Sequence, residues 1–325
     1  MGWLGAMSAQ AQPCEAAPPG PRDIRAIGFY TDKASSIVDP ELKRESQQAV
    51  AGLDSFAGQV VHWSDDYLRS GDPQPAACAL QWLMAWARDG AMLGQMIRVN
   101  NNQSYYTRQW MLDALALAYL KVREQADAAQ AAVIAPWLEQ LALANLAYWD
   151  NPKHRRNNLY YWGGLGVLAT GLATGNAALW RAGQEIYQHG VGDIETDGRL
   201  SFEMTRGRRA LHYHGYALAP LVLMAELARL HGEDWYGENH HAIDRLARRV
   251  AQGWSDASWF TEQAGVPQEL GAIGAHSGWV EFYRLRTPEP TAFDAMHAQG
   301  PFFDIRLGGN LTLMAAQGMV RTPRP

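Results

Sequence analysis

Cysteine is nearly absent from this 325-residue chain: Cys14 and Cys78 stand alone, with no Cys-x-x-Cys pair and no zinc-ligand spacing. No apolar run reaches the length of a membrane span. A basic excess is also missing. Lys and Arg number 28 against 33 Asp and Glu, for a formal net charge of −5, which argues against a nucleic-acid coat. Neither a GxGxxG turn, a Walker loop nor a GxSxG elbow occurs. Alternating β-branched runs are almost lacking, so an all-β fold is excluded. Phenylalanine is scarce, 8 residues, whereas Trp and Tyr number 13 each. Rings with a polar handle therefore outnumber the ring that only packs. With 47% apolar residues the chain is rich enough to bury a large core.

Two separate thiols would suit a cytosolic chain, and a single Cys14–Cys78 disulfide an exported one. The start of the chain bears on this choice. Residues 1–7 are too short for the apolar core of a signal peptide, but Ala6-Met7-Ser8-Ala9-Gln10-Ala11-Gln12 reads as the small-residue cleavage region that ends one. A chain that begins late in a signal peptide accounts for both features. It points to the periplasm and to a Cys14–Cys78 bridge tying the N-terminal arm to the first helices.

Residues 1–23 read as signal remnant and extended arm, and 24–325 as one domain without an internal linker. From residue 39 the apolar period is helical. Asp39-Pro40 is an N-cap followed by Pro at the first helical position, and Asp72-Pro73 opens a second helix closed by Asp89-Gly90. Further helices are expected near 108–125, 131–149, 160–174, 177–190, 209–231 and 240–253, with Gly175-Asn176 separating two of them. Only 198–202 and 305–313 could be extended. Short connections imply antiparallel helix hairpins; periodicity alone does not separate a bundle from a toroid.

Three segments concentrate polar, aromatic and basic residues: 29–33, 153–162 and 206–216. Asn157 reads as an N-cap, whereas Asn158, inside the first turn, sits where backbone N–H groups favour an anion and its amide can bind a carboxylate. Arg209, Tyr213 and Tyr216 can share a helical face, with Arg206 one turn earlier. A guanidinium beside Tyr213 is expected to lower its pKa toward a usable range. His212 and His214, two apart on a helix, diverge and are not read as a metal pair; one is expected to contact ligand and the other to be structural.

Asn157-Asn158-x-Tyr160-Tyr161-Trp162 resembles the Asn-Asn-His-x-Tyr-Trp element of the periplasmic alginate lyases. Arg206 to Tyr216, running on as Tyr213-His214-x-Tyr216-Ala217-Leu218, resembles their second element. Tyr30 to Lys33, Glu238-Asn239-His240 and Pro301-Phe302 to Arg306-Leu307-Gly308-Gly309 match further, so the resemblance spans about residues 14–314. It implies an all-α fold, an incomplete (α/α) toroid of antiparallel hairpins around a central groove. It also implies cleavage of uronate polymers by β-elimination without metal or other cofactor. The partner would be an acidic polysaccharide, with no nucleic acid and no membrane, and the chain a monomer.

Residue by residue, the resemblance makes Asn158 and Arg206 the carboxylate holders and Tyr213 the catalytic acid, and the base when proton and leaving group share a face. Trp162, Tyr216, His212, Tyr106, Tyr30, Lys33, Arg209 and Arg306 would line the subsites. The chain departs from the pattern at Leu159, where the family carries His. Leu neither neutralises a carboxylate nor takes a proton. Leu159 thus either restricts the chain to syn elimination or is an inactivating replacement; similar volume in an otherwise intact motif favours the second reading. Two rivals remain. One is a non-catalytic polyuronate-binding protein on the same fold. The other is a glycoside hydrolase using carboxylates among Asp193, Glu195, Asp197 and Glu203; Asp197-Gly198 reads instead as a turn and Glu203 as support for the arginines.

Overall fold

The computed structural model describes residues 14–270 and 276–321; the proposed signal remnant lies outside them apart from the arm that begins at Cys14. The helices are α1 (Pro40–Ser70), α2 (Pro73–Asp89), α3 (Gln103–Val122), α4 (Ala128–Trp149), α5 (Asn158–Thr174), α6 (Ala177–Gly192), α7 (Ser201–Met204), α8 (Ala210–His231), α9 (Glu238–Ser255), α10 (Ser258–Ala264), α11 (Trp279–Tyr283), α12 (Asp294–His297) and α13 (Leu311–Gln317). Their starts follow the expected chemistry. Asp39 and Asp72 accept first-turn N–H groups ahead of Pro40 and Pro73, and Gly90 and Gly175 end α2 and α5 in the left-handed region at φ 61° and 74°.

Consecutive helices pair as hairpins, α1 with α2, α3 with α4, α5 with α6 and α8 with α9, while α1, α3, α5 and α8 also pack on one another in that order. Those four form an inner layer, and α2, α4, α6 and α9 an outer one. The sequence pattern follows the layer. Inner helices α3, α5 and α8 are buried along nearly their whole length and carry small and apolar residues all round. Outer helices α6 and α9 bury one stripe and show a polar face to solvent. Glycine permits the tightest approach: a β-carbon at Gly171 of α5 would stand 2.5 Å from the Trp180 backbone nitrogen of α6.

Two strands escaped the sequence reading. β1 (Ile24–Ile27) and β2 (Met96–Val99) pair in parallel and brace the segment that leads to Tyr30. The extended backbone expected at 198–202 is limited to a bridge between Leu200 and Ile194, because α7 starts at Ser201. Nor is 305–313 one extended run: β3 (Phe303–Asp304) and β4 (Gly309–Asn310) flank a turn of 3-10 helix, and α13 begins at Leu311. Cys14 and Cys78 are disulfide-bonded. The arm then runs along α2, where the indoles of Trp82 and Trp86 donate to the carbonyls of Glu15 and Pro18. No described helix is long and apolar enough to cross a membrane.

A buried ion pair fixes the C-terminal segment. Lys121 of α3 binds Asp65 of α1 and donates to the Gly308 carbonyl, while Asp65 accepts the Asn310 N–H. Both side chains are at most 3% exposed, so neither charge has water as an alternative partner. Replacing Lys121 by Met should cost about 3–5 kcal/mol through the stranded carboxylate, lowering the denaturation midpoint. An unchanged midpoint would remove this pair as the anchor of the segment that carries Arg306.

Candidate active site

The inner layer opens onto a groove of about 990 Å³ lined by residues of α1, α3, α5, α8 and the loops before them. At its centre Asn157 caps α5 by accepting the Leu159 N–H, as the sequence implied. Helix α5 thus begins at Asn158. Its side chain is fully buried yet faces the groove, and neither amide atom makes a hydrogen bond of normal geometry within the protein. An unsatisfied amide at that depth is costly unless a ligand completes it.

Glu203, 1% exposed, explains how this corner is held. One carboxylate oxygen accepts the Asn158 N–H at 3.1 Å, and the other accepts from Arg206 Nε at 3.3 Å. Burial raises the pKa of Glu203, and Arg206 and the Asn158 hydrogen bonding oppose that rise. Arg206 also donates to the Ala34 carbonyl, and its guanidinium lies 4.5 Å from the centre of the Tyr213 ring. The Tyr213 hydroxyl donates to Tyr30 at 2.8 Å, and Arg209 donates to that same Tyr30 oxygen at 2.8 Å. Two guanidiniums thus converge on one phenol, over a 3-10 turn rather than a continuous helix.

The expected fall in the Tyr213 pKa does not occur. Burial and the neighbouring Tyr30 push it well above the ordinary phenol value, outweighing Arg206 and Arg209. Tyr213 is therefore a protonated acid. Deeper along the same helix, the Tyr216 hydroxyl accepts from Arg306, whose guanidinium stacks 3.7 Å from the Trp110 ring centre.

Of the residues named from sequence, Tyr30, Tyr106, Asn158, Leu159, Arg206, Arg209, His212, Tyr213, Tyr216 and Arg306 all line the groove. Two do not. Trp162 is fully buried, donating its indole N–H to the Tyr216 carbonyl and packing beneath that ring, so it supports the wall and does not face a sugar. Lys33 is exposed and lies outside the groove lining. The two histidines divide as expected: His212 lines the groove, and fully buried His214 bridges the Leu200 N–H and the Ala210 carbonyl. Asp193, Glu195, Asp197 and Glu203 are all absent from the groove lining. Asp193 accepts from Tyr161 and Glu195 pairs with Arg199. Sequence reading missed His276 and its partner Asp304 because a lone His ahead of Ser-Gly carries no spacing signal. It also missed Asp54, whose place on α1 looks like any solvated helix face.

The sequence profile of the alginate lyases matches residues 23–260. The chain belongs to the alginate lyase family. It is 65% identical over 311 residues to a polysaccharide lyase of Stenotrophomonas maltophilia, covering 95% of this chain and 93% of the relative. It is 31% identical to an alginate lyase of Pseudomonas fluorescens, over 92% of this chain and 83% of that protein. A variant of alginate lyase A1-III complexed with tetrasaccharide superposes at a TM-score of 0.80, with 26% identity, covering 96% of this chain and 87% of that one. This member of the family is accordingly a polysaccharide lyase, and its layered hairpins are an α/α toroid.

The shared carboxylate of Glu203 is open to test. Glu203→Gln keeps an acceptor for Asn158 but loses the charge facing Arg206. A displacement of about 1 Å there should lower kcat/KM by about 100-fold, with the thermal midpoint moving by only a few degrees. Unchanged kinetics would show that Arg206 holds its place without Glu203.

Proposed function

We propose that this lyase cleaves alginate, mannuronate-rich stretches first, by β-elimination, and that it does so in the periplasm. The observation that carries the substrate class is the Asn158–Arg206 corner: an unsatisfied buried amide and a guanidinium, side by side in the groove and next to Tyr213. The alginate lyases among its relatives, and the tetrasaccharide bound by the A1-III variant, support a polymeric uronate as the ligand. Polyglucuronate and hyaluronan place the C5 proton on the same face as O4, as mannuronate does, and are further substrates under this reading.

Neutralising the C6 carboxylate with Asn158 and Arg206 makes the C5 proton acidic and stabilises the charge that builds as it leaves. When that proton and O4 share a face, Tyr213 serves both atoms. As phenolate it takes the C5 proton; the C5–H electron pair becomes the C4–C5 double bond, the C4–O4 bond breaks, and the new phenol protonates O4. Because Tyr213 is a neutral phenol with a raised pKa, the phenolate is scarce, and turnover should climb by up to about tenfold per pH unit through the neutral and alkaline range. The measurement is ultraviolet absorbance of the unsaturated product on mannuronan, with Tyr213→Phe as a control that abolishes it. A flat profile would detach the base step from Tyr213. Binding of mannuronan with no absorbance at any pH would favour the non-catalytic polyuronate-binding alternative.

Leu159 lines the groove beside Asn158 but adds no donor. Its cost is one missing carboxylate partner, and not the loss of the acid–base group, so the chain is slowed and not inactive. Leu159→His should raise mannuronan turnover on the order of tenfold or more. A wild-type chain without activity that gains it only as Leu159→His would establish the inactivating reading instead.

A further inference from the structure

Tyr213 enters as a protonated phenol and Leu159 has no lone pair. The residues assigned so far therefore leave a substrate whose C5 proton lies opposite O4, such as guluronate, without a base. Behind Tyr216 the groove contains an imidazole that neither the motifs nor the assigned roles use. His276 lines the groove with its ring 22% exposed, and its Nδ1 is hydrogen-bonded to a carboxylate oxygen of Asp304, 12% exposed. The ring stands edge-on to Trp162 at 5.5 Å and to Tyr216 at 5.0 Å.

Trp162 lies three residues beyond Leu159 on α5, and Tyr216 three beyond Tyr213 on α8, so His276 sits about one helical turn deeper than both. Tyr213 and Tyr216 are themselves 6.0 Å apart, ring centre to ring centre. Tyr213 and His276 thus flank the Tyr216 ring along one groove, with the imidazole a turn below the acid. Burial alone would raise the pKa of Asp304, but His276 and Arg306 outweigh it and keep the carboxylate charged. A charged carboxylate on Nδ1 selects the tautomer with the proton there and turns the Nε2 lone pair away from Asp304. His276 and Asp304 thus form a base and its orienting partner.

We propose that His276, oriented by Asp304, is the base that removes a C5 proton from the face opposite Tyr213, supplying the imidazole that position 159 lacks. The proposal rests on the lyase reading above and extends it to guluronate-containing polymers. Nε2 takes the C5 proton, the C5–H pair forms the C4–C5 double bond, the C4–O4 bond breaks, and Tyr213 delivers its proton to O4. The imidazolium then returns a proton to the Tyr213 phenolate through solvent, which closes the cycle without any co-reactant. Asp304 is a positioning residue in this scheme.

The test compares kcat on polyguluronate and polymannuronate for the full chain, His276→Gln, Asp304→Asn and the double variant, using the same protein preparations. His276→Gln should lower the guluronate-to-mannuronate ratio of kcat by about 100-fold. Asp304→Asn should lower it by about tenfold, with KM moved less than about twofold, and the double variant should add nothing to His276→Gln. Leu159→His on the His276→Gln background should restore the ratio. An unchanged ratio, a change confined to KM, or a wild-type chain that cuts mannuronan but leaves guluronan intact would overturn the proposal while leaving the lyase reading in place. A chain that cuts neither polymer would overturn the reading beneath it.

Discussion

One carboxylate organises the reaction centre. Glu203 is buried, accepts the first backbone N–H of α5 and holds Arg206, so the start of α5 and the segment carrying Arg206 are tied to a single pair of oxygens. Without it the Asn158 amide and the Arg206 guanidinium would have no fixed relation, and a uronate carboxylate could not meet both. The arrangement also sets a sign. A buried anion between them compensates part of the positive charge, so the corner can stay desolvated and still present donors to a ligand. The remainder of the groove is built outward from that point, through the stacking of Arg206 on Tyr213 and the hydrogen bonds linking Tyr213, Tyr30 and Arg209.

The toroid supplies the depth that this chemistry needs. Inner helices, of which α3, α5 and α8 are buried nearly all round, bring their N-terminal ends to a common groove under a cover of outer helices. The C-terminal segment closes the floor with Arg306 and backs His276 with Asp304, pinned by Lys121 and Asp65. The overall charge of −5 says little about the ligand, because Arg206, Arg209, Arg306, Lys43, Lys153 and Arg155 all face one cavity. The surplus of Trp and Tyr divides in the same manner: Trp82, Trp86 and Trp162 spend their N–H groups on backbone carbonyls, whereas Tyr30, Tyr213 and Tyr216 keep theirs in the groove.

Much of this was legible before any coordinates. Helix starts at Asp39, Asp72, Asn157 and Asn176 are local events, set by a side chain and the next three residues, so sequence suffices for them. The Asn158, Arg206 and Tyr213 constellation was legible because its motifs are contiguous. What sequence could not supply depends on distant burial. Trp162 shares a motif and a helical face with Asn158, but Tyr216 and His276 cover its ring, and nothing local says so. The proton on Tyr213 was misjudged because neighbouring arginines are visible in the sequence and the loop at 30–35 that buries the phenol is not. His276 and Asp304 meet across 28 residues with no shared pattern. β1 and β2 escaped because each is four residues long and pairs with a partner some 70 positions away.

The account stands on elimination, and the mass of the product decides it most directly. Mass spectrometry of oligosaccharides released from mannuronan should find every new non-reducing end lighter by one water than a hydrolytic end, with no oxygen incorporated from labelled water at the cleaved bond. Saturated non-reducing ends, with labelled oxygen on the new reducing ends, would contradict the account and would return the groove to a hydrolase.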